Sequence, residues 1–272
     1  MKAREKPLLM GIVNVTPDSF SDGGCYLEPE RAILQAVRLA GSGADIVDIG
    51  GESTRPGAVP VSAQEEMDRV LPVIEGVVRR LNVRVSIDTQ KLEVAREAAA
   101  LGATILNDVS GGSDIRMALL AAERGLTVVL MHMQGTPQTM QQIPTYDRGV
   151  VSEVHDALAA RVRAFEECGV GREKIWIDPG IGFGKTVSHN LELLAQLGKF
   201  SDLGARIVVG TSRKSFLARV LENPELPMAK RESATIATNL YAYTRGASVF
   251  RIHRVGGFRR ALALWKACEA CE

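Results

Sequence analysis

The stretch IDPGIGFGKT, residues 177–186, joins a short apolar run to a helix-like one through three glycines. One reading makes it the phosphate-binding loop of a nucleotide hydrolase. That loop needs a glycine, four free residues, then Gly-Lys-Ser/Thr. Counting back from Gly184-Lys185-Thr186, the first position is Pro179. Proline lacks the N–H that a phosphate cradle uses. Asp178 also closes the strand, and a carboxylate there repels phosphate. The better reading is a strand-to-helix turn in which Asp178 meets a ligand rich in N–H donors. The glycines then let that ligand approach the backbone closely.

Moving outward, the same strand, turn and helix sequence recurs along the chain. Apolar, β-branched runs at 8–15, 44–51, 84–88, 103–109, 127–133, 174–178, 205–211 and 248–253 read as strands. Helical patterns fill the gaps at 29–41, 62–81, 91–101, 113–124, 150–168, 188–199, 213–221 with 230–246, and 256–270. No Asn-Gly hairpin signal falls between strands. Eight strands, each followed by a helix, predict a (β/α)8 TIM barrel, with a doubly wound open sheet as the alternative. The expected organisation is a single domain over residues 1–272.

Composition sets outer bounds. The 272 residues are 46% hydrophobic, and 33 basic against 32 acidic residues leave a net charge of +1. Such balance offers no electrostatic footprint for nucleic acid. No apolar run approaches the roughly 18 residues of a membrane span. The polar opening, MKAREKP, is not expected to be a signal peptide. Four scattered cysteines, Cys25, Cys168, Cys268 and Cys271, do not make a disulfide framework, so a cytoplasmic setting is expected. Cys268 and Cys271 read as small apolar residues one turn apart on a terminal helix, with redox or zinc use the lesser reading.

The strand ends carry the chemistry. Asn14, Glu52, Asp88, Asn107 with Asp108, His132, Asp178, Thr211 with Ser212, and Arg251 to His253 all lie at or just past strand C-termini. The opposite connections are plain: Gly41-Ser42-Gly43, Leu81-Asn82, Leu101-Gly102, Arg124-Gly125 and Cys168-Gly169. Barrel active sites are built at the C-terminal face, so the functional site is expected there. Residues 14–28 and 51–61 form long Gly/Pro/Ser-rich connections on that face, as lids do. His132 reads as a core histidine, and His155 and His189 as surface ones. Glu52 reads as a partner for loop backbone, and Lys185 as a cap or a carboxylate partner.

Eight motifs now carry a resemblance. They are MGIVNVTPDSFSDGG (10–24), GADIVDIGGESTRPGA (43–58), VSIDT (85–89), LNDVSGG (106–112), VLMHMQGTP (129–137), IDPGIGFGKT (177–186), VGTSRKSF (209–216) and FRIHRVGG (250–257). In this order the chain resembles the dihydropteroate synthases over nearly its whole length. The resemblance implies a (β/α)8 barrel, a homodimer and a magnesium-dependent transferase of folate biosynthesis. It implies small-molecule substrates, 6-hydroxymethyl-7,8-dihydropterin diphosphate and p-aminobenzoate, giving 7,8-dihydropteroate and pyrophosphate. By the same resemblance, Asp88, Asn107, Met131, Asp178, Lys214 and Arg251 bind pterin. Phe20, Thr54, Pro56, Phe183 and Ser215 surround p-aminobenzoate. Asn14, Arg55, Arg251 and His253 hold the diphosphate, with Asn14 as the metal ligand. Arg55, Lys214, Arg251 and His253 serve catalysis. Arg254 departs from the Asp common after the histidine of strand eight.

Elementary chemistry agrees with those residue types. A pterin edge presents several N–H donors, which carboxylates accept in charge-assisted bonds. An asparagine donates and accepts at once, and a lysine supplies a donor. Cations and a metal can stabilise the leaving pyrophosphate. A methylene cation delocalised into the ring favours a dissociative substitution in a site that excludes water. The p-aminobenzoate site draws on both long loops, so that substrate, and sulfonamides that mimic it, are expected to bind after the diphosphate. Alternatives are a pterin-dependent methyltransferase, which would not need the loops at 16–24 and 52–58 or SRKSF, and a catalytically inactive pterin-binding barrel.

Overall fold

In a computed structural model of the protein, residues 6–16, 28–54 and 57–271 are described. The described strands are β1 (Leu8–Asn14), β2 (Ile46–Gly50), β3 (Arg84–Asp88), β4 (Ile105–Asp108), β5 (Thr127–Met131), β6 (Ile175–Asp178), β7 (Arg206–Val209) and β8 (Ala247–Ile252). They pair in parallel in chain order and close, β8 against β1. The helices are α1 (Glu28–Gly41), α2 (Ala63–Arg80), α3 (Leu92–Ala100), α4 (Arg116–Arg124), α5 (Val150–Glu167), α6 (Val187–Ala195), α7 (Ser215–Val220), α8 (Glu232–Thr244) and α9 (Val255–Glu269). The closed parallel barrel, not the open sheet, is therefore the fold.

Most elements lie within a few residues of the sequence reading, and the departures have local causes. The helix expected from 113 begins at Arg116 because short side chains capture the backbone before it. Ser113 N–H donates to Ser110 Oγ, and Arg116 N–H to Asp114 Oδ1. The helix expected over 188–199 ends at Ala195 and gives way to a 3-10 segment, Leu197–Leu203.

Two cores follow from strand parity. Residues facing the helices make the large outer core, and a smaller cluster fills the barrel: Met10, Ile46, Ile105, Val129, Trp176, Val208 and Val249. Side chains alternate along a strand, so the residue two positions on shares the inner face. From that apolar layer the step leads to Asp48, Asn107, Met131, Asp178 and Arg251. On β8 the inward parity depends on one extra residue. Ile207 pairs with Ala247 but Val208 with Val249, a register shift that puts Val249 and Arg251 on the inner face. Burying the apolar layer stabilises the barrel by roughly 1.5–3 kcal/mol per large side chain. It also gives the polar layer a dry floor.

Candidate active site

The turn at 177–186 is built by left-handed glycines. Gly180, Gly182 and Gly184 have φ of 69°, 87° and 62°. A Cβ on Gly180 would lie 1.8 Å from the His132 carbonyl oxygen, so no other residue fits that approach. Thr186 does not face a phosphate. Its Oγ1 accepts from His189 N–H at 3.1 Å, while His189 Nδ1 accepts from Thr186 N–H at 3.3 Å, capping α6. The half-buried His189 is thus part of a helix cap. Lys185 caps nothing and meets no carboxylate at hydrogen-bond distance; its ammonium is buried against His132 and the Phe183 carbonyl.

Asp178 ends β6 with Oδ1 accepting Gly180 N–H at 2.7 Å. Burial pushes this carboxyl above the ordinary range, and the Lys214 charge is the first influence opposing it. Lys214 reaches in from the start of α7, donates to the Ile181 carbonyl and lies 4.3 Å over the Phe183 ring. Burial brings its amine down to about 8, with Asp178 opposing. The loop that aims Lys214 is strained at Arg213, where φ is 61°. Arg213 N–H donates to Thr235 Oγ1 at 3.1 Å, and Arg231 holds the Arg213 carbonyl at 3.0 Å.

Across the barrel a second cluster forms. Arg251 donates through Nε to Asp48 Oδ2 at 2.7 Å and through Nη2 to Asp88 Oδ2 at 2.5 Å. Asn107 Nδ2 donates to the same Asp48 oxygen at 3.2 Å. Two carboxylates thus share one guanidinium. Burial raises Asp88 most, the Arg251 charge lowers it, and the Asp48 charge raises it further. Asp48 Oδ1 and Asp88 Oδ1 are buried without a hydrogen-bond partner. A buried carboxylate oxygen without a partner is an acceptor awaiting a donor. Asp48 was missed from the sequence as a site residue. The available signal was a charge inside the buried run of β2, where parity aims it inward and burial demands a partner.

Asp88, Asn107, Met131, Asp178, Lys214 and Arg251 are therefore brought to one mouth. His253 follows β8, its Nδ1 2.9 Å from Ser212 Oγ. Asn14 ends β1, half-buried, opposite Gly50 in register. Thr54 is half-buried and Ser215 exposed at the first turn of α7. Phe20, Arg55 and Pro56 lie outside the described residues. Glu52 binds loop backbone as expected, accepting Val61 N–H at 2.9 Å, and pairs with Lys91 at 3.1 Å. His155, expected at the surface, is half-buried and paired with Asp202 at 2.9 Å.

Comparison with known proteins places this mouth in context. The family model described as pterin binding enzyme matches residues 10–253. The dihydropteroate synthase of Escherichia coli is 45% identical over 249 residues, covering 92% of this chain and 87% of that protein. The Xanthomonas albilineans dihydropteroate synthase solved with 4-aminobenzoic acid superposes with a TM-score of 0.92 at 43% identity, covering 98% of this chain and 94% of that one. A structure of the Xanthomonas enzyme with 7,8-dihydropteroate gives 0.88 at 40% identity, covering 98% and 95%.

Proposed function

Because the chain belongs to the pterin binding enzymes, and among them to the dihydropteroate synthases, we propose specific duties for the residues at its barrel mouth. The reaction is a transfer: p-aminobenzoate displaces pyrophosphate from 6-hydroxymethyl-7,8-dihydropterin diphosphate, giving 7,8-dihydropteroate. One observation carries the assignment of roles. Asp88 and Asp178 stand on opposite sides of the mouth with raised, buried carboxyls, and Asp88 keeps an unpartnered oxygen. A donor-rich pterin edge matches that need. Asn107 reads the same edge, Met131 gives the ring apolar contact, and Lys214 donates to its acceptor atoms.

The C–O bond to the diphosphate breaks first, and its electron pair leaves with pyrophosphate. Ring nitrogens delocalise the methylene cation beside the floor carboxylates. The aniline nitrogen of p-aminobenzoate then forms the C–N bond and loses a proton to pyrophosphate or water. Arg251 Nη1, left over by its two carboxylates, and His253, steadied by Ser212, stabilise the leaving group together with Arg55. Thr54, Phe183 and Ser215 line the p-aminobenzoate side, to which the resemblance also assigns Phe20 and Pro56, outside the described residues.

Magnesium fits this reading through its donor set. Among the described residues no three His, Cys, Asp or Glu side chains could together hold a metal. Asn14 offers one neutral oxygen, suited to an ion whose other ligands are water and diphosphate oxygens. When bound there, the ion supplies positive charge to the leaving diphosphate.

A homodimer is supported by exposed apolar side chains on adjoining elements: Leu191 on α6, Val220 and Leu221 at α7, Met228 before α8, and Tyr241 on α8. A cytoplasmic setting is supported by free thiols at Cys168, Cys268 and Cys271. No described helix is long and apolar enough to cross a membrane. The test of function is pyrophosphate release. With both substrates and magnesium, pyrophosphate release should be matched by dihydropteroate formed; a folded chain that incorporates no p-aminobenzoate refutes the reading.

A further inference from the structure

One buried cation has no part in the site as described. Lys185 is 3% exposed. Its Nζ donates to the Phe183 carbonyl at 2.9 Å and the His132 carbonyl at 3.4 Å, and lies 3.0 Å from His132 Nδ1. Three acceptors match the three N–H bonds of an ammonium. All three are uncharged, whereas a buried lysine ordinarily has a charged partner. Burial lowers its amine to about 7, the Asp178 charge opposes that, and Lys214 adds to it.

A loop staple alone would not need a charge, since a neutral amide donor can bridge two carbonyls at less desolvation cost. The charge has a second object. Lys185 Nζ sits beside Gly180, 3.4 Å from where a Cβ on that residue would lie. The Gly180 N–H holds Asp178 Oδ1 at 2.7 Å, so the ammonium stands next to the carboxylate's anchor and favours its ionised form. We propose that Lys185 is a positioning residue for pterin recognition, tying the end of β5 to the β6–α6 loop from behind and holding Asp178 as an anion. The inference rests on the reading of Asp178 as a pterin partner.

Two features follow from the geometry. Phe183 is placed because its own carbonyl is an acceptor of Lys185, while Tyr146 Oη fixes the next carbonyl, Gly184, at 2.8 Å. His132 is held neutral, because a ring nitrogen that accepts from an ammonium carries no proton. Its hydrogen is then on Nε2. Burial first, and the Lys185 charge second, bring His132 down to about 3. The charged groups facing Asp178 are Lys214 from the β7–α7 loop, Arg251 from β8 and Lys185 from its own loop, besides the Gly180 N–H.

The experiment is calorimetry of 6-hydroxymethylpterin binding as a function of pH, on the full chain, Lys185→Met and Lys185→Gln. Lys185→Met is expected to weaken binding about tenfold or more at neutral pH. Both variants should move the acid limb of affinity to higher pH, because Asp178 then protonates more readily. Lys185→Gln should lose less affinity than Lys185→Met, since it keeps a donor for the loop. A folded Lys185→Met with wild-type affinity overturns the inference. So does weakened binding with the acid limb unmoved in both variants, which is a purely structural role. If neither variant folds, nitrogen NMR of the wild-type chain decides. His132 should remain the Nε2–H tautomer down to about pH 5, well below the ordinary imidazole range; a protonated Nδ1 overturns the inference. A wild-type chain that binds no pterin would instead refute the reading of Asp178.

Discussion

Replacing Asp48 by Asn tests whether the β2 carboxylate is a structural strut or an electrostatic control on Asp88. Removing one member of a buried ion pair ordinarily costs about 3–5 kcal/mol, because the other charge is stranded. Here Arg251 keeps Asp88 at 2.5 Å, so no charge is stranded. What is lost is charge assistance in two hydrogen bonds, from Arg251 at 2.7 Å and Asn107 at 3.2 Å. Charge-assisted bonds are about twice as strong as neutral ones, and a neutral bond nets about 1 kcal/mol. Relief of a buried carboxylate with an orphaned oxygen offsets part of this. The expected loss is therefore about 1–2 kcal/mol, or about 2–4 °C in Tm for a chain of this size. The larger effect should be on pH. The Asp48 charge raises Asp88, so Asp48→Asn lets Asp88 stay ionised to lower pH. The acid limb of pterin affinity should move down, the direction opposite to that expected for Lys185→Met. Thermal unfolding and calorimetry on one preparation supply both numbers. A stability loss above about 3 kcal/mol, the stranded-charge figure, or an acid limb that stays put would refute the reasoning.

Three further outcomes follow from the same geometry. Asp178→Asn should leave a folded protein and weaken pterin binding by about 1.5–3 kcal/mol, the worth of a hydrogen bond to a charged group; unchanged affinity by calorimetry would remove Asp178 from the site. Turnover should fall as pH rises through about 8, where the Lys214 amine, lowered by burial, loses its proton; an alkaline limb near the ordinary lysine value would mean that its charge is not needed. Gly180→Ala should abolish soluble or active protein, since its φ is 69° and its Cβ would sit 1.8 Å from the His132 carbonyl oxygen; a stable, active variant would show that the loop can shift.

The barrel was legible because strand, turn and helix alternate with distinct periodicities. The face of the site was legible because polar residues gather at strand ends. Asp88, Asn107 and Asp178 stand out as polar endings of apolar runs. Asp48 does not, because it sits inside the run IVDIG, and only the pairing of strands reveals that it meets Arg251 from β8. The sharing of one guanidinium by two acids is likewise a long-range fact. The role of Thr186 was obscured by its place in a familiar-looking Gly-Lys-Thr, when local capping chemistry decides it. The local sequence suggests a cap or a carboxylate partner for Lys185; nothing local indicates that its acceptors are His132 and a carbonyl two residues back.

The apolar layer of Met10, Ile46, Ile105, Val129, Trp176, Val208 and Val249 turns the barrel into a blind well. Nothing passes through its base, so whatever reaches the floor must come down past the rim and leave by the same way. Traffic in such a shape is first in, last out. On the roles proposed for Asp88 and Asp178, the bicyclic ring has to be seated before a partner occupies the rim beside Phe183 and Ser215. An early-arriving rim ligand would be a stopper rather than a reactant. On that proposal, substrate order would be a property of the container, present before any loop closes.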